Sequence, residues 1–487
     1  MNGLLGKALL NPRHQTVRRP LHTATTTSQS LYLPIAPPTL GNAGAVVGRE
    51  LYSGKAFVYC PFSTFGDGLP GGNMIVMGDT GRGKSALTKT YAARQVRLGR
   101  QVVVLDTKEQ AERQEGEWAA LGRAITGREP VRFTPGGSSS GARINPLDPA
   151  ISGKRQAELV RTLIELGLGE RLDEFAGSAL RIALRRAHRQ AGHEGRTAVL
   201  GDVAAALRDP DAAEARAKQR SREQLLADGL EASYVVDRLC GGTDSSGDLT
   251  GMLDGPTSIG VDLGTDLITF DLTRIPSGSV AMTILVAVIA VFLEEVWLRP
   301  VCECGAAPGV HRRNPLSTGS GAWDLGGCAD TGCHRYVQRK RILVCEEAWH
   351  ILGTPQLALL LEKFLKFARG LGLSCVLIVH HLSDVDDSPK TQAALKMADT
   401  IVVYSMKHAE ARATADRLGL PTWTAEHIMR LRRGIALWKV GDTLYPGVQH
   451  LLTEAEQHLC FSSGSMSDLA ATAPQAVRPT AHQQERP

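Results

Sequence analysis

The chain has 487 residues, enough for roughly two to four domains or for one motor domain with insertions. Apolar residues make up 43% and charged residues 22%, which excludes wholesale disorder, and 51 glycines with 24 prolines exclude collagen-like or low-complexity architecture. A net charge of +5 at pH 7 does not by itself argue for nucleic acid; nine cysteines in so long a chain exclude a disulfide scaffold and favour a reducing, cytosolic compartment.

Residues 1–45 carry Lys7, Arg13, Arg18 and Arg19, then a Thr/Ser run over 23–29 and prolines at 34, 37 and 38. They lack the apolar core of a secretory signal. The basic, acid-free start mimics an organelle transit peptide, but a solvated linker is the simpler reading. Short apolar runs then predict strands at Phe57–Phe62, Asn73–Met77, Val102–Asp106, Ile268–Leu272, Ile342–Cys345, Ser374–Val379 and Thr400–Tyr404. Helical patterns fall at about 84–98, with Leu87, Tyr91 and Val96 inward, and at about 279–297, 355–370 and 408–418. Strands alternating with helices imply an α/β fold with a mostly parallel sheet covered on both faces. The most apolar run, Val280–Leu293, ends at Glu294 and Glu295; it is shorter than the roughly 20 residues of a membrane span and reads as a buried core helix.

Two motifs carry chemistry. Gly78, Asp79, Thr80, Gly81, Arg82, Gly83, Lys84 and Ser85 fit G-x-x-x-x-G-K-[ST] at every fixed position, between an apolar strand and an amphipathic helix. Glycines let the backbone N–H groups turn toward a β-phosphate, Lys84 can reach β- and γ-oxygens, and Ser85 can ligate Mg²⁺ at the helix start. Further on, the strand Arg341–Cys345 runs into Glu346 and Glu347. Phosphoryl transfer needs one carboxylate near Mg²⁺, usually through water, and hydrolysis needs a group that orients the attacking water. Glu346 is the metal-side candidate and Glu347 the water-side candidate, because successive residues leaving a strand point to opposite sides and a turn there brings both into use.

With these motifs in place, the chain resembles the FtsK–HerA class of ring-forming ATPases, and within it the large traffic ATPase of conjugation and type IV secretion systems (the TraC/TraE type). The resemblance rests on Gly78–Ser85 and on Glu346-Glu347-Ala348-Trp349. It extends to Gly54–Phe62 with Gly71-Gly72-Asn73, to Val102–Glu109, to Arg143-Ile144-Asn145-Pro146-Leu147, to His381-Leu382-Ser383-Asp384 and to Arg433-Gly434 before Ile435–Val440. It implies a RecA-like P-loop motor that uses ATP and Mg²⁺, forms hexamers with nucleotide at subunit boundaries, and works with the membrane channel proteins of an envelope-spanning apparatus. The implied location is the cytoplasm, with docking on the inner face of the cell membrane left open.

On this reading the chain divides into a linker (1–45), the first part of the ATPase domain (46–150), an inserted all-helical lobe (151–260), the ATPase domain continued (261–300), a Cys/Gly-rich irregular insertion (301–335), the ATPase domain with its acidic strand (336–461) and a disordered tail (462–487). The sequence departs from the family pattern in three places. Glu346 stands where the family usually has Asp. His380 and His381 stand where it often has Gln, with His381 a candidate for sensing the γ-phosphate. Asp106-Thr107-Lys108-Glu109-Gln110 replaces Asp-Pro-Lys-Gly-Glu.

A ring ATPase needs an arginine from a neighbouring subunit to stabilise charge on the transferring phosphate; Arg369 and Arg432 or Arg433 are the candidates. Cys302, Cys304, Cys328 and Cys333, with His334 adjacent and His311 nearby, are candidate zinc ligands of imperfect spacing, while Cys60, Cys240, Cys345, Cys375 and Cys460 read as packing residues. Arg-rich helices at 181–189 and 216–222 suit either a DNA channel or a solvated face. The expected function is an ATP-hydrolysing motor coupled to channel assembly or to DNA or protein transfer. The alternatives are a hexameric DNA translocase or coupling protein and a non-hydrolysing ATP-binding scaffold.

Overall fold

The structure, a computed structural model, describes residues 40–63, 69, 71–110, 113–136, 141–153, 155–240, 249–258, 265–297, 301–302, 336–337, 340–348, 361–362, 364–366, 372–382 and 395–460. Eleven strands form one sheet: β1 (Ala45–Glu50), β2 (Ala56–Tyr59), β3 (Met74–Met77), β4 (Gln101–Asp106), β5 (Val131–Arg132), β6 (Leu267–Asp271), β7 (Arg341–Cys345), β8 (Leu373–Ile378), β9 (Thr400–Val403), β10 (Ile435–Val440) and β11 (Thr443–His450). Their order is β2-β1-β11-β10-β9-β3-β8-β7-β4-β6-β5. Every pairing from β9 to β5 is parallel. Those from β9 through β10, β11 and β1 to β2 are antiparallel. The predicted mostly parallel sheet is therefore present, extended on one side by an antiparallel edge in which β1 and β11 had no counterpart among the predicted strands.

The central strands read as unbroken apolar runs because both of their faces are buried. Val76, Val102, Val104, Ile342, Val344, Val376 and Val402 share one core with Leu87, Tyr91 and Trp118. Ile75, Met77, Val103, Leu105, Leu343, Cys345, Leu377 and Val403 share the other with the helices beyond. Helix α1 (Lys84–Arg97) follows β3 and buries Leu87, Tyr91 and Gln95, whereas the expected inward residue Val96 is only half-buried. Helix α2 (Ala119–Thr126) lies against β6 and ends on left-handed Gly127.

Between β5 and β6 the chain forms α3 (Pro149–Ser152), α4 (Gln156–Leu168), α5 (Glu174–His193), α6 (Leu200–Arg208), α7 (Ala212–Ala217) and α8 (Arg222–Cys240). Asp148, Asp173 and Asp211 cap three of them by accepting from backbone N–H groups of the first turn. Fully buried Asn145 ties the approach to this lobe, donating to the Ala198 carbonyl (2.8 Å) and accepting from the Leu147 N–H (3.0 Å). Helix α9 (Val280–Trp297) is long and apolar enough to cross a membrane by length and composition. Most of it is nevertheless buried in the protein core, where it packs on α3 and α4.

Helices α10 (His408–Arg417) and α11 (Trp423–Arg430) precede the β10–β11 hairpin, and α12 (Glu454–Cys460) lies on α1. There Arg94 grips Glu456 with two hydrogen bonds of 2.8 and 2.7 Å and donates to the Leu451 carbonyl (2.7 Å). The Arg94 guanidinium holds the Glu456 carboxyl down near 2 against the opposing effect of burial. His450, at the end of β11, is buried, and its Nε2 has no hydrogen-bond partner among the described residues. Burial first, and the Arg94 charge second, lower its imidazole to about 4, with Glu456 opposing. The His450 N–H donates to the Gly434 carbonyl (2.8 Å), and the Gly434 N–H donates to the Arg82 carbonyl (3.0 Å), so this corner braces the glycine-rich loop.

An imidazole lowered on folding binds fewer protons than its unfolded counterpart, so its contribution is intact above the unfolded value of 6.5 and is lost as pH falls toward about 4. Acid therefore weakens the protein from about pH 6.5 downward, by up to roughly 3 kcal/mol from this residue. Denaturant melts from neutral to acid pH test this: His450→Phe is expected to flatten the slope above pH 4.5, and an unchanged slope contradicts the assignment.

Candidate active site

The glycine-rich loop joins β3 to α1 at the C-terminal edge of the parallel strands, where α/β folds of this kind bind ligands. Gly78, Gly81 and Gly83 take positive φ of 144°, 76° and 121°. A Cβ on Gly78 would lie 2.5 Å from the Tyr404 Cβ, so no side chain fits there. The loop is pinned from behind by Gly78 N–H to the His380 carbonyl and Asp79 N–H to the Ser405 carbonyl, both 3.1 Å. Helix α1 follows Gly83 as its N-cap, with neither a capping side chain nor an acid in its first turn. Its first N–H groups and the positive end of its dipole are thus left for an anionic ligand.

Lys84 is 6% exposed. Its ammonium donates to the carbonyls of Gly78 and Asp79 (3.1 Å to the latter) and to His380 Nδ1 (3.1 Å). Burial, followed by the Lys108 charge, lowers it to about 8, with Glu347, Glu346 and Asp79 opposing. In front of the loop, a cleft of about 700 Å³ is lined by Asp79, Thr80, Gly81, Arg82, His381, Lys407 and Glu410.

The acidic pair leaves β7, and a single strand, β8, separates β7 from β3. Glu346 and Glu347 do diverge, because the chain turns between them. Glu346 N–H stays paired to the Leu105 carbonyl (3.1 Å), Ala348 N–H pairs to the Ile378 carbonyl (2.8 Å), and Glu347 between them adopts φ 48°, a left-handed conformation unusual for a residue with a side chain. Glu347 Oε1 lies 3.1 Å from His380 Nε2.

Glu346 is 2% exposed and accepts a 2.9 Å hydrogen bond from the Trp118 indole N–H. Burial raises its carboxyl, and Glu117 adds to the rise; Lys89, the indole bond and Lys108 oppose it. Trp118, fully buried, also donates its backbone N–H to Asp106 Oδ2 (2.9 Å), and burial lifts the Asp106 carboxyl well above its usual range. Beside them Glu117 bridges Lys89 (3.3 Å) and Lys108 (2.9 Å). Against the opposing effect of burial, these two cations hold Glu117 below the ordinary carboxylate range.

The structure thus gathers the eight loop residues, Glu346 and Glu347 at one edge of the sheet. Of the two histidines, His380 stands between Lys84 and Glu347, while His381, the candidate for sensing the γ-phosphate, lines the cleft. His381 points toward the cleft, 3.5 Å from Asp79 Oδ1 and 3.8 Å from Glu410 Oε2. The difference follows from the strand's alternation: the expected end of the β8 strand, Val379, is still buried, and the next side chain turns to the loop. Arg432 and Arg433 are exposed beside Gly434. Arg369, Cys304, Cys328, Cys333, His311 and His334 lie outside the described residues, and Cys302 is placed only as backbone of a two-residue strand, Val301–Cys302, paired with Tyr336–Val337. Trp118, Lys89 and Glu117 were not found from sequence. An isolated Trp and a Lys on a helix carry no motif, and only the fold brings them to Glu346.

Four arginines of the Arg-rich segments have carboxylate partners inside the lobe. Arg186 and Arg222 both pair with Asp209, Arg189 with Glu214 and Arg220 with Asp228.

No protein-family model matches the sequence, and no curated protein matches it. Among solved structures the fold is similar to that of VirB4 of Thermoanaerobacter pseudethanolicus, with a TM-score of 0.59 and 18% identity over 86% of this chain and 99% of that one. The bacterial conjugative coupling protein TrwB aligns with a TM-score of 0.49 and 14% identity over 87% of this chain and 91% of that one. TrwB in complex with ADP and Mg²⁺ aligns at 0.47 and 14% over 76% and 82%. The likeness to VirB4 establishes the RecA-like P-loop α/β fold that the family resemblance implies.

Because the indole N–H of Trp118 is a hydrogen-bond donor to a buried carboxylate, Trp118→Phe leaves Glu346 under-satisfied and opens a small void. The expected loss of stability is about 2–4 kcal/mol, read by denaturant unfolding; a loss below about 0.5 kcal/mol would show that the indole bond does not hold Glu346.

Proposed function

We propose that the chain is a Mg²⁺-dependent ATPase of the conjugation and type IV secretion kind, coupling hydrolysis to channel assembly or substrate transfer. One observation carries this reading: the phosphate-type loop on β3 and two carboxylates at the end of β7 flank a single strand, with Lys84 and Glu347 joined through His380. A phosphate-gripping loop and a water-orienting acid need that proximity. The likeness in fold to VirB4 supports the same class.

The residues fit the nucleotide and its metal. The uncapped start of α1, the loop amides and Lys84 would hold the β- and γ-phosphates. Ser85 and Glu346 would hold Mg²⁺, which neutralises charge on the phosphates as it transfers. Among the described residues no group of three or more His, Cys, Asp or Glu forms a metal cage; Mg²⁺ in such sites takes one or two protein oxygens, with phosphates and water completing the shell. Glu347 orients the attacking water, and its left-handed backbone fixes where that carboxylate points. Exposed Arg432 or Arg433 would serve the site of the next subunit in a hexamer. The helical lobe is the moving output, and the inner face of a membrane, beside channel proteins, is the place of action.

The pairing of Arg186, Arg189, Arg220 and Arg222 within the lobe favours this reading over the DNA translocase. Paired guanidiniums release no counterions from phosphate without first breaking their own bonds, which weakens any DNA stripe. Purified protein is therefore expected to release phosphate from ATP with Mg²⁺, with DNA changing the rate less than about twofold. Lys84→Ala and Glu347→Gln should each lower turnover by 100-fold or more, by about the effect of losing a positioned transition-state group. Strong stimulation by DNA would favour the translocase; phosphate release unaffected by either substitution would remove the site from the reaction.

A further inference from the structure

The Lys84 ammonium has three hydrogens, and the protein already uses all three: on the Gly78 carbonyl, on the Asp79 carbonyl and on His380 Nδ1. A triphosphate that recruits Lys84 must take at least one of them. The two carbonyls belong to the loop that cradles the ligand, whereas His380 lies two residues past the end of β8, the next strand, and its ring also touches Glu347. The backbone of His380 cannot follow a moving ring, because its carbonyl accepts the Gly78 N–H. An ammonium only donates, so Nδ1 is the acceptor in this contact, and Nε2 carries the hydrogen that it donates to the Glu347 carboxylate.

We infer that His380 is a positioning residue that ties the phosphate-binding lysine to the water-orienting glutamate: in the empty site it holds Lys84 back from the ligand, and it aims Glu347 whenever ATP is present. This rests on the ATPase reading above, and it gives His380 two opposite effects. Its grip on Lys84 competes with nucleotide and so weakens binding. Its hydrogen bond to Glu347 holds a carboxylate on a left-handed backbone, where rotation of the side chain would otherwise misplace the water. A residue that merely fills space between two strands would not separate affinity from turnover in this way.

The test compares wild-type protein with His380→Phe, which keeps a ring and removes both nitrogens, and His380→Gln, whose amide still donates and accepts. Binding of ATP with Mg²⁺ is measured by calorimetry and turnover by phosphate release. His380→Phe is expected to bind ATP about three- to tenfold more tightly, since one competing hydrogen bond is gone. Its kcat should fall by about 10- to 100-fold, and His380→Gln should recover most of the turnover. Binding that is unchanged or weaker in His380→Phe, or a kcat equal to wild type, overturns the inference. If wild-type protein binds ATP but releases no phosphate, the ATPase reading fails while the affinity comparison still decides whether His380 restrains Lys84. Should His380→Phe fail to fold, His380→Ala supplies the same two readings.

Discussion

Lys84 is an ammonium group buried at the C-terminal edge of a parallel sheet, and its need for acceptors organises much of what surrounds it. Two of those acceptors are carbonyls that the loop can present only because Gly78 lies against Tyr404 without a Cβ. The third is the ring of His380, which brings β8 into the site and, through it, Glu347. Even so, burial leaves the charge disfavoured, down to about 8, so a polyanion in front of the loop would relieve a cost that the empty protein carries. Binding and catalysis are joined in this way by a single buried cation.

Behind this contact is a second layer of charge. Asp106 at the end of β4 and Glu346 just past β7 lie on neighbouring strands, both fully or almost fully buried, and Trp118 donates to each of them. Lys89 and Lys108 pair with Glu117 alongside. Groups so deeply buried persist only when each finds partners, and such networks specify one arrangement of the chain. Here the arrangement fixes where Glu346 can sit relative to α1. The Glu346 carboxylate that stands where the resemblance leads one to expect Asp accepts the indole N–H of Trp118.

The sequence was most legible where one chemical requirement constrains several adjacent residues. The loop from Gly78 to Ser85, the strand running into Glu346 and Glu347, and the central apolar strands follow from spacing alone, since both-face burial leaves an unbroken apolar run. The antiparallel edge was harder to see: β1 and β11 alternate or break around Gly48 and Gly447, and their burial depends on a partner strand roughly 400 residues away. That His380 turns to Lys84 and Glu347 while His381 lines the cleft depends on the phase of β8, which one residue decides. Trp118 was invisible for another reason: its role is set by a strand more than two hundred residues later, and no local pattern announces that contact. The arginines at 181–189 and 216–222 carried a charge pattern that suited either DNA or a solvated face, and the pairs that Arg186 and Arg222 make with Asp209 and Arg189 makes with Glu214 appear only in the folded lobe.

Taken together, the fold supplies a loop that can accept phosphates, a cation held in reserve behind it, and two acids directed differently by one turn in the backbone. A structure of the protein with a non-hydrolysable ATP analogue and Mg²⁺ tests this account most directly. The account predicts the β- and γ-phosphates between the loop amides and Lys84, with the metal beside Ser85 and Glu346 and the Lys84–His380 contact broken. Nucleotide bound elsewhere, or a loop that stays empty while Lys84 keeps its bond to His380, would contradict it.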